Sequence, residues 1–136
     1  MATYNKFQCF VEDICEKKHN LGSDTLKVAF SNAANAPSAS ADVKLTDITT
    51  VPVSNLDSVT LAVSSSVQTS GTYKLVLADK TMTASGTVGP FRYVIIYNDT
   101  AANDELIAWY DYGSEVTLAS GDTFKLDFGT ELFSLA

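Results

Sequence analysis

The run Val88-Gly89-Pro90-Phe91-Arg92-Tyr93-Val94-Ile95-Ile96-Tyr97-Asn98-Asp99-Thr100, followed by Leu106-Ile107-Ala108-Trp109-Tyr110-Asp111-Tyr112-Gly113, constrains this chain more than any other feature. It reads as two apolar, aromatic-rich strands joined by a short polar loop. Phe91, Tyr93, Ile95 and Tyr97 occupy the odd positions, and Val94 and Ile96 make the even set apolar as well. A strand of that pattern is covered on both faces and therefore lies centrally in a sheet. Arg92 interrupts the run near its end, where it is expected to snorkel to solvent or pair with a carboxylate. No histidine, cysteine or catalytic serine motif accompanies these strands.

The rest of the chain supplies shorter strands and one helix. Over residues 3–19, Tyr4, Phe7, Phe10, Val11, Ile14 and Cys15 fall within one arc of about 140° at helical spacing. Lys6, Glu12, Asp13, Glu16 and Lys17 lie mainly opposite. This predicts an amphipathic helix with Thr3 as N-cap and a stop at Asn20 to Gly22. Cys9 falls near the back of that helix, exposed or facing a neighbouring subunit. From Leu26 the period becomes two: Leu26, Val28 and Phe30 make a first strand. Residues 31–41 read as a loop, and 43–53 as an edge strand limited by Pro52. Val59, Leu61 and Val63 alternate, residues 64–71 read as a polar turn, and Tyr73, Leu75 and Leu77 resume. Met82 falls in a weaker strand, residues 116–118 are expected to add a short strand, and Phe124, Leu126 and Phe128 close the series. The expected fold is mainly β with one N-terminal helix: an antiparallel, jelly-roll-like β-sandwich of about eight strands. It forms a single domain over 1–136, with a helical segment at 1–22 and the sandwich at 23–136.

At 136 residues, 46% hydrophobic and 18% charged, the chain can bury a core without staples. Acidic and basic side chains cancel over residues 1–97. Beyond them Asp99, Asp104, Glu105, Asp111, Glu115, Asp122, Asp127 and Glu131 face only Lys125, so the last third carries the whole net charge of −7. Nucleic-acid binding needs the opposite sign, and an anionic membrane surface is disfavoured for the same reason. The acidic third reads as solvated loops, or as a surface complementary to a basic partner. No run approaches a membrane-spanning length of roughly 20 residues, and no signal peptide is visible. Cys9 and Cys15, about 9 Å apart along a helix and about 120° apart around it, cannot bridge while that helix is intact. Reduced thiols fit production in the cytoplasm.

Reactive parts are few. His19 is the single histidine, and a cation at the end of the helix complements the helix dipole. Ser64-Ser65-Ser66 lacks the glycines of a nucleophile elbow, and Gly86-Thr87-Val88-Gly89 opens no helix that could bind phosphate. Neither cysteine has zinc-ligand spacing. Asp99, Asp104, Glu105 and Asp111 could converge near one end of a hairpin, but match no calcium loop. Trp109 stands alone in a core-like strand rather than in a sugar site. The expectation is a non-enzymatic protein with no cofactor and no resident metal.

Several segments resemble a family of small virion structural proteins of tailed bacteriophages. They are Thr3-Tyr4-Asn5-Lys6-Phe7, Lys18-His19-Asn20-Leu21-Gly22-Ser23-Asp24, Gly71-Thr72-Tyr73-Lys74-Leu75-Val76-Leu77, Gly89-Pro90-Phe91-Arg92-Tyr93 with Tyr97-Asn98-Asp99-Thr100, and Trp109-Tyr110-Asp111-Tyr112-Gly113. The likeness is weakest over residues 31–68, and Cys9, Cys15 and a shortened C-terminus depart from the family pattern. It implies a head decoration, or cement, protein that is made in the host cytoplasm and sits on the virion. Such a protein binds the major capsid protein on the capsid exterior as a small oligomer, here expected to be a trimer, and stabilises the shell. The alternative is a tail component (tube, tip or adaptor) that forms rings. Tyr4, Cys9, Tyr112, Phe133 and Leu135 are the candidate oligomer or capsid interface side chains, with no nucleic acid or membrane as partner.

Overall fold

The computed structural model describes residues 2–136. Nine strands and one α-helix run in the order β1 (Thr3–Lys6), α1 (Cys9–Cys15), β2 (Leu26–Ser31), β3 (Val63–Thr69), β4 (Thr72–Leu77), β5 (Lys80–Thr83), β6 (Val88–Asn98), β7 (Leu106–Leu118), β8 (Thr123–Leu126) and β9 (Phe133–Leu135). Every strand pairing is antiparallel. The sheets are unequal: β1-β7-β6-β2, β3-β4-β9 and β5-β8. The expected antiparallel sandwich is present.

The doubly apolar stretch is central, between β7 and β2. One face of its sheet presents Val28, Phe30, Val94 and Ile96 to Leu75 and Leu77 of β4, Met82 of β5 and Phe124 and Leu126 of β8. The other face carries Tyr93, Ile95, Tyr97 and Trp109 under Phe7 and Ile48. Phe7 packs against Trp109 with ring centroids 4.5 Å apart and planes tilted by 48°. Residues that a helix-spacing argument put in a single stripe thus divide between two cores, Phe10 in the first and Phe7 in the second.

That division corrects the expected helix. Thr3 to Lys6 form β1, in register with Asp111 to Ala108 of β7, so Thr3 is no N-cap and the 1–22 segment belongs partly to the sheet. The edge of β7 offers these residues backbone partners, and a short amphipathic pattern fits either conformation, so tertiary pairing decides. Only Cys9–Cys15 is helical; Phe10 and Asp13 are its buried residues, while Val11 and Cys15 are exposed. Lys17, with φ of 66°, lies just past the end of the helix.

Three further segments differ from expectation. Residues 43–53 form no strand; a 3₁₀ turn, Leu45–Asp47, replaces it, because the Asp47 carboxylate accepts the N–H groups of Val43 and Lys44. Residues 64–71 are mostly strand β3. The turn is confined to Ser70 and Gly71, both at positive φ (53° and 84°), as a two-residue type I′ hairpin requires. Residues 116–118 are the continuous end of β7. Gly89 is needed where it stands: its φ is 111°, and a Cβ there would lie 2.6 Å from the Val116 carbonyl oxygen.

Candidate functional site

The five candidate interface side chains do not form one surface. Tyr4, on β1, packs edge-on against Tyr110 at 5.5 Å, and its half-burial followed by the neighbouring Tyr110 pushes its hydroxyl up to about 12. Tyr112 is exposed and lines a cleft of about 420 Å³ with Tyr110, Phe124, Phe128, Lys125 and Asp127. Phe133 and Leu135 lie on β9 at a second cleft of about 400 Å³, whose walls include Ile14, His19 and Tyr73. Leu135 is exposed, whereas Phe133 is half-buried, 5.0 Å from the Phe10 ring and 5.7 Å from Tyr73. It is therefore partly a core residue.

Cys9 is not exposed on the back of a helix. It begins α1, half-buried, and its Sγ reaches the carbonyl oxygens of Asp42 and Val43 at 3.8 and 3.7 Å. Burial, with the Asp13 charge beside it, pushes its thiol up to about 11. Such a thiol is a poor nucleophile. Cys15 is the exposed one.

The strongest concentration of polar chemistry lies where residues 19–24 meet the end of β6. The Asn98 amide nitrogen donates to Nδ1 of His19 at 3.0 Å and to the Asp24 carboxylate at 2.7 Å. Its oxygen accepts the N–H groups of Thr100 and Ala101 at 3.0 and 3.2 Å. Those two backbone donors fix which way the amide points, so Nδ1 of His19 is the acceptor and its proton sits on Nε2. Burial lowers the His19 pKa, opposed by Asp13, Glu105 and Asp24. His19 lies four residues past the helix end as a neutral, buried ring, not a cation on a helix dipole. It ties two loops together.

Asp99 and Glu105 lie near enough to Asp104 to add to the burial that raises its pKa, but among the described residues the acidic side chains form no group that could hold a metal ion. Asp99 pairs with Lys27 at 3.0 Å, and Asp111 with Arg92 at 2.8 Å, the carboxylate partner expected for that arginine. The Arg92 hydrogen bond holds the Asp111 carboxyl below its usual range. Glu105 is buried and accepts the backbone and side-chain N–H groups of Asn103. Among the described residues no helix is long and apolar enough to cross a membrane.

One surface feature was hidden from sequence reading: β3, taken as a polar turn, is an open sheet edge carrying exposed Val63 and Val67. Its signal was the Ser70-Gly71 pair between two runs of residues, a hairpin turn that limits the loop to two positions.

No protein-family model matches this chain, and no curated protein or solved structure matches it.

Proposed function

We propose that this chain is a non-enzymatic structural protein of a tailed-phage virion, a head decoration protein that binds the major capsid protein on the capsid exterior as a small closed oligomer. The observation that carries this reading is where the molecule spends its chemistry. Buried His19 and Asn98, with half-buried Asp24, are engaged in tying residues 19–24 to the end of β6, while Tyr4, Tyr112, Val67 and Leu135 remain exposed on a well-packed sandwich. Exposed aromatic and aliphatic side chains at several places suit a protein with several neighbours. The resemblance of the segments around Tyr73, Phe91, Tyr97 and Trp109 to small phage virion proteins gives the class of neighbour.

A tail role is the second reading, favoured by the open strand edge of β3, through which rings can assemble. One experiment separates the two. Purified protein is mixed with undecorated capsids of the same phage and imaged by cryo-electron microscopy. Regular density at local threefold positions or capsomer junctions is the expected result. Bare capsids accompanied by rings or tubes of the protein alone would overturn the decoration reading in favour of the tail.

A further inference from the structure

His19 leaves half of its hydrogen-bonding capacity unused. Nδ1 accepts from Asn98 at 3.0 Å, whereas Nε2 is buried without a partner. Oδ2 of Asp13 is in the same condition. His19 is only 8% exposed and Asp13 only 2%, and the two free atoms are a donor and an acceptor. The fold makes these residues neighbours. Phe10 and Asp13 are the buried residues of α1, one turn apart on one face, and the His19 ring lies 5.2 Å from that of Phe10. Lys18 N–H donates to the Asp13 carbonyl at 2.9 Å, and its Nζ pairs with Oδ1 of Asp13 at 3.2 Å. That folds the chain back over the helix end immediately before His19.

The occupied side of the ring has no place for a second proton. Oδ1 of Asn98 accepts the N–H groups of Thr100 and Ala101, so its Nδ2 is the group that meets Nδ1 of His19. Nδ2 also donates to the Asp24 carboxylate at 2.7 Å, and turning the amide over would break all three of these other bonds. Protonating Nδ1 therefore sets one donor against another at 3.0 Å, with no acceptor between them. The hydrogen bond is lost and repulsion replaces it. The ring must leave Asn98 or stay neutral.

We propose that His19 is an acid-operated switch that exchanges partners, holding Asn98 when neutral and Asp13 when protonated. In the neutral state it ties residues 19–24 to the end of β6. In the protonated state the imidazolium turns to the carboxylate whose Oδ2 is free. The cleft of about 400 Å³ beside the ring gives it room to turn. The charges around the ring favour the second state: Asp13 most strongly, then Glu105 and Asp24, with Lys18 opposed. Lys17 is the charged residue on the cleft wall, and β3, β4 and β9 add Ser66, Tyr73, Phe133 and Leu135, none of them charged. Burial outweighs the carboxylates, so the exchange falls below the ordinary histidine value of 6.5. His19, Asn20 and Leu21 form the wall of the cleft that faces Phe133 and Leu135. The exchange therefore reshapes a surface that carries two candidate interface side chains, while the β6–β7 core stays in place. The switch belongs to the fold and serves a head or a tail role alike.

Nitrogen-15 NMR of the imidazole in the full chain, followed from about pH 8 to about pH 4.5, tests the exchange. At the upper end the proton should sit on Nε2, and Nδ1 should carry the shift of an acceptor, with cross-relaxation from the ring to the Asn98 side-chain amide. At the lower end both nitrogens should be protonated, with contacts to Asn98 lost and contacts to Asp13 gained. The amides of Ile95 and Ile107 should stay protected throughout. A ring that keeps Asn98 after protonation would overturn the proposal, as would one that gains its second proton only when the whole chain unfolds. Asp13→Asn gives a second readout, because it keeps the shape of the side chain and removes its charge. The proton affinity of His19 should fall roughly threefold or more, and the ring should no longer turn to residue 13 on protonation. Protected Thr100 and Ala101 amides would show that this variant is folded. An unchanged midpoint in the folded variant also overturns the switch.

Discussion

The molecule contains two long hairpins built from similar backbone and put to different ends. In β6–β7, Phe91, Ile95, Ile96, Leu106 and Ile107 are fully buried, and both faces of the sheet are covered. In β3–β4 only the inner face is covered: Leu75 and Leu77 are buried, while Val63 and Val67 are exposed on a strand with no outer neighbour. The first hairpin is held by apolar packing on two sides, with β1 paired along Ala108 to Asp111 and β2 along Tyr93 to Asn98. The second is held from one side and keeps its backbone groups available. Position in the sheet, more than strand propensity, separates the scaffold from the surface that can recognise something.

The largest expected effect tests the scaffold side. Ile95→Ala removes a fully buried side chain beside its cross-strand partner Trp109 and should lower stability by about 2–5 kcal/mol, read from urea midpoints. A loss below the level of a surface change would mean that the β6–β7 hairpin is not the doubly covered core described here.

An intermediate effect is expected from the neutral histidine that ties the end of β6 to residues 19–24. Burial lowers the His19 pKa from its ordinary 6.5, so the unfolded chain binds the proton more readily than the folded one. Stability should therefore be complete above about pH 6.5 and decline as the pH falls below it. Asp13, Asp24 and Glu105 face this ring, with Lys18 nearby, and their charges set how far the decline is softened. The depressed carboxylates Asp47, Asp57 and Asp111 act separately, below their ordinary 3.8. Urea midpoints taken between about pH 8 and pH 5 should fall in the native chain and stay flat in His19→Gln. Parallel slopes in the two proteins would show that His19 is not the titrating group.

The smallest effect tests the open side. Val67→Thr should change the stability of the monomer by no more than about 0.5 kcal/mol, because the side chain it alters is mostly in solvent. A loss comparable with that of Ile95→Ala would show that the β3 edge is covered, and the contrast between the hairpins would fail.

Much of the architecture was legible. Phe91 to Tyr97 reads as a doubly buried central strand from its apolar run alone, and Tyr73, Leu75 and Leu77 read as one face of a strand. Of the two outcomes expected for Arg92, snorkelling or pairing with a carboxylate, the structure shows the pair with Asp111. Residues 3–6 were misread because four residues of mixed polarity fit a helix as well as a strand, and only the β7 edge distinguishes them. Residues 64–69 were misread because serine is common in turns, although it is equally tolerated on a strand with one wet face. Of the candidate site residues, Tyr4, Tyr112 and Leu135 are exposed, although Tyr112 lies in the middle of β7 rather than near an element end. Cys9 and Phe133 are not exposed, since each is shielded by a segment distant in sequence.

By itself the sequence determined the class of fold and the location of its centre, because hydrophobic period and strand length are local properties that burial on both faces makes unmistakable. Only the tertiary structure decided which strand edges are covered, which charges are paired and that His19 is a neutral tie between loops. Those are contacts between residues distant in sequence, 79 positions apart for His19 and Asn98, and no local pattern encodes their geometry.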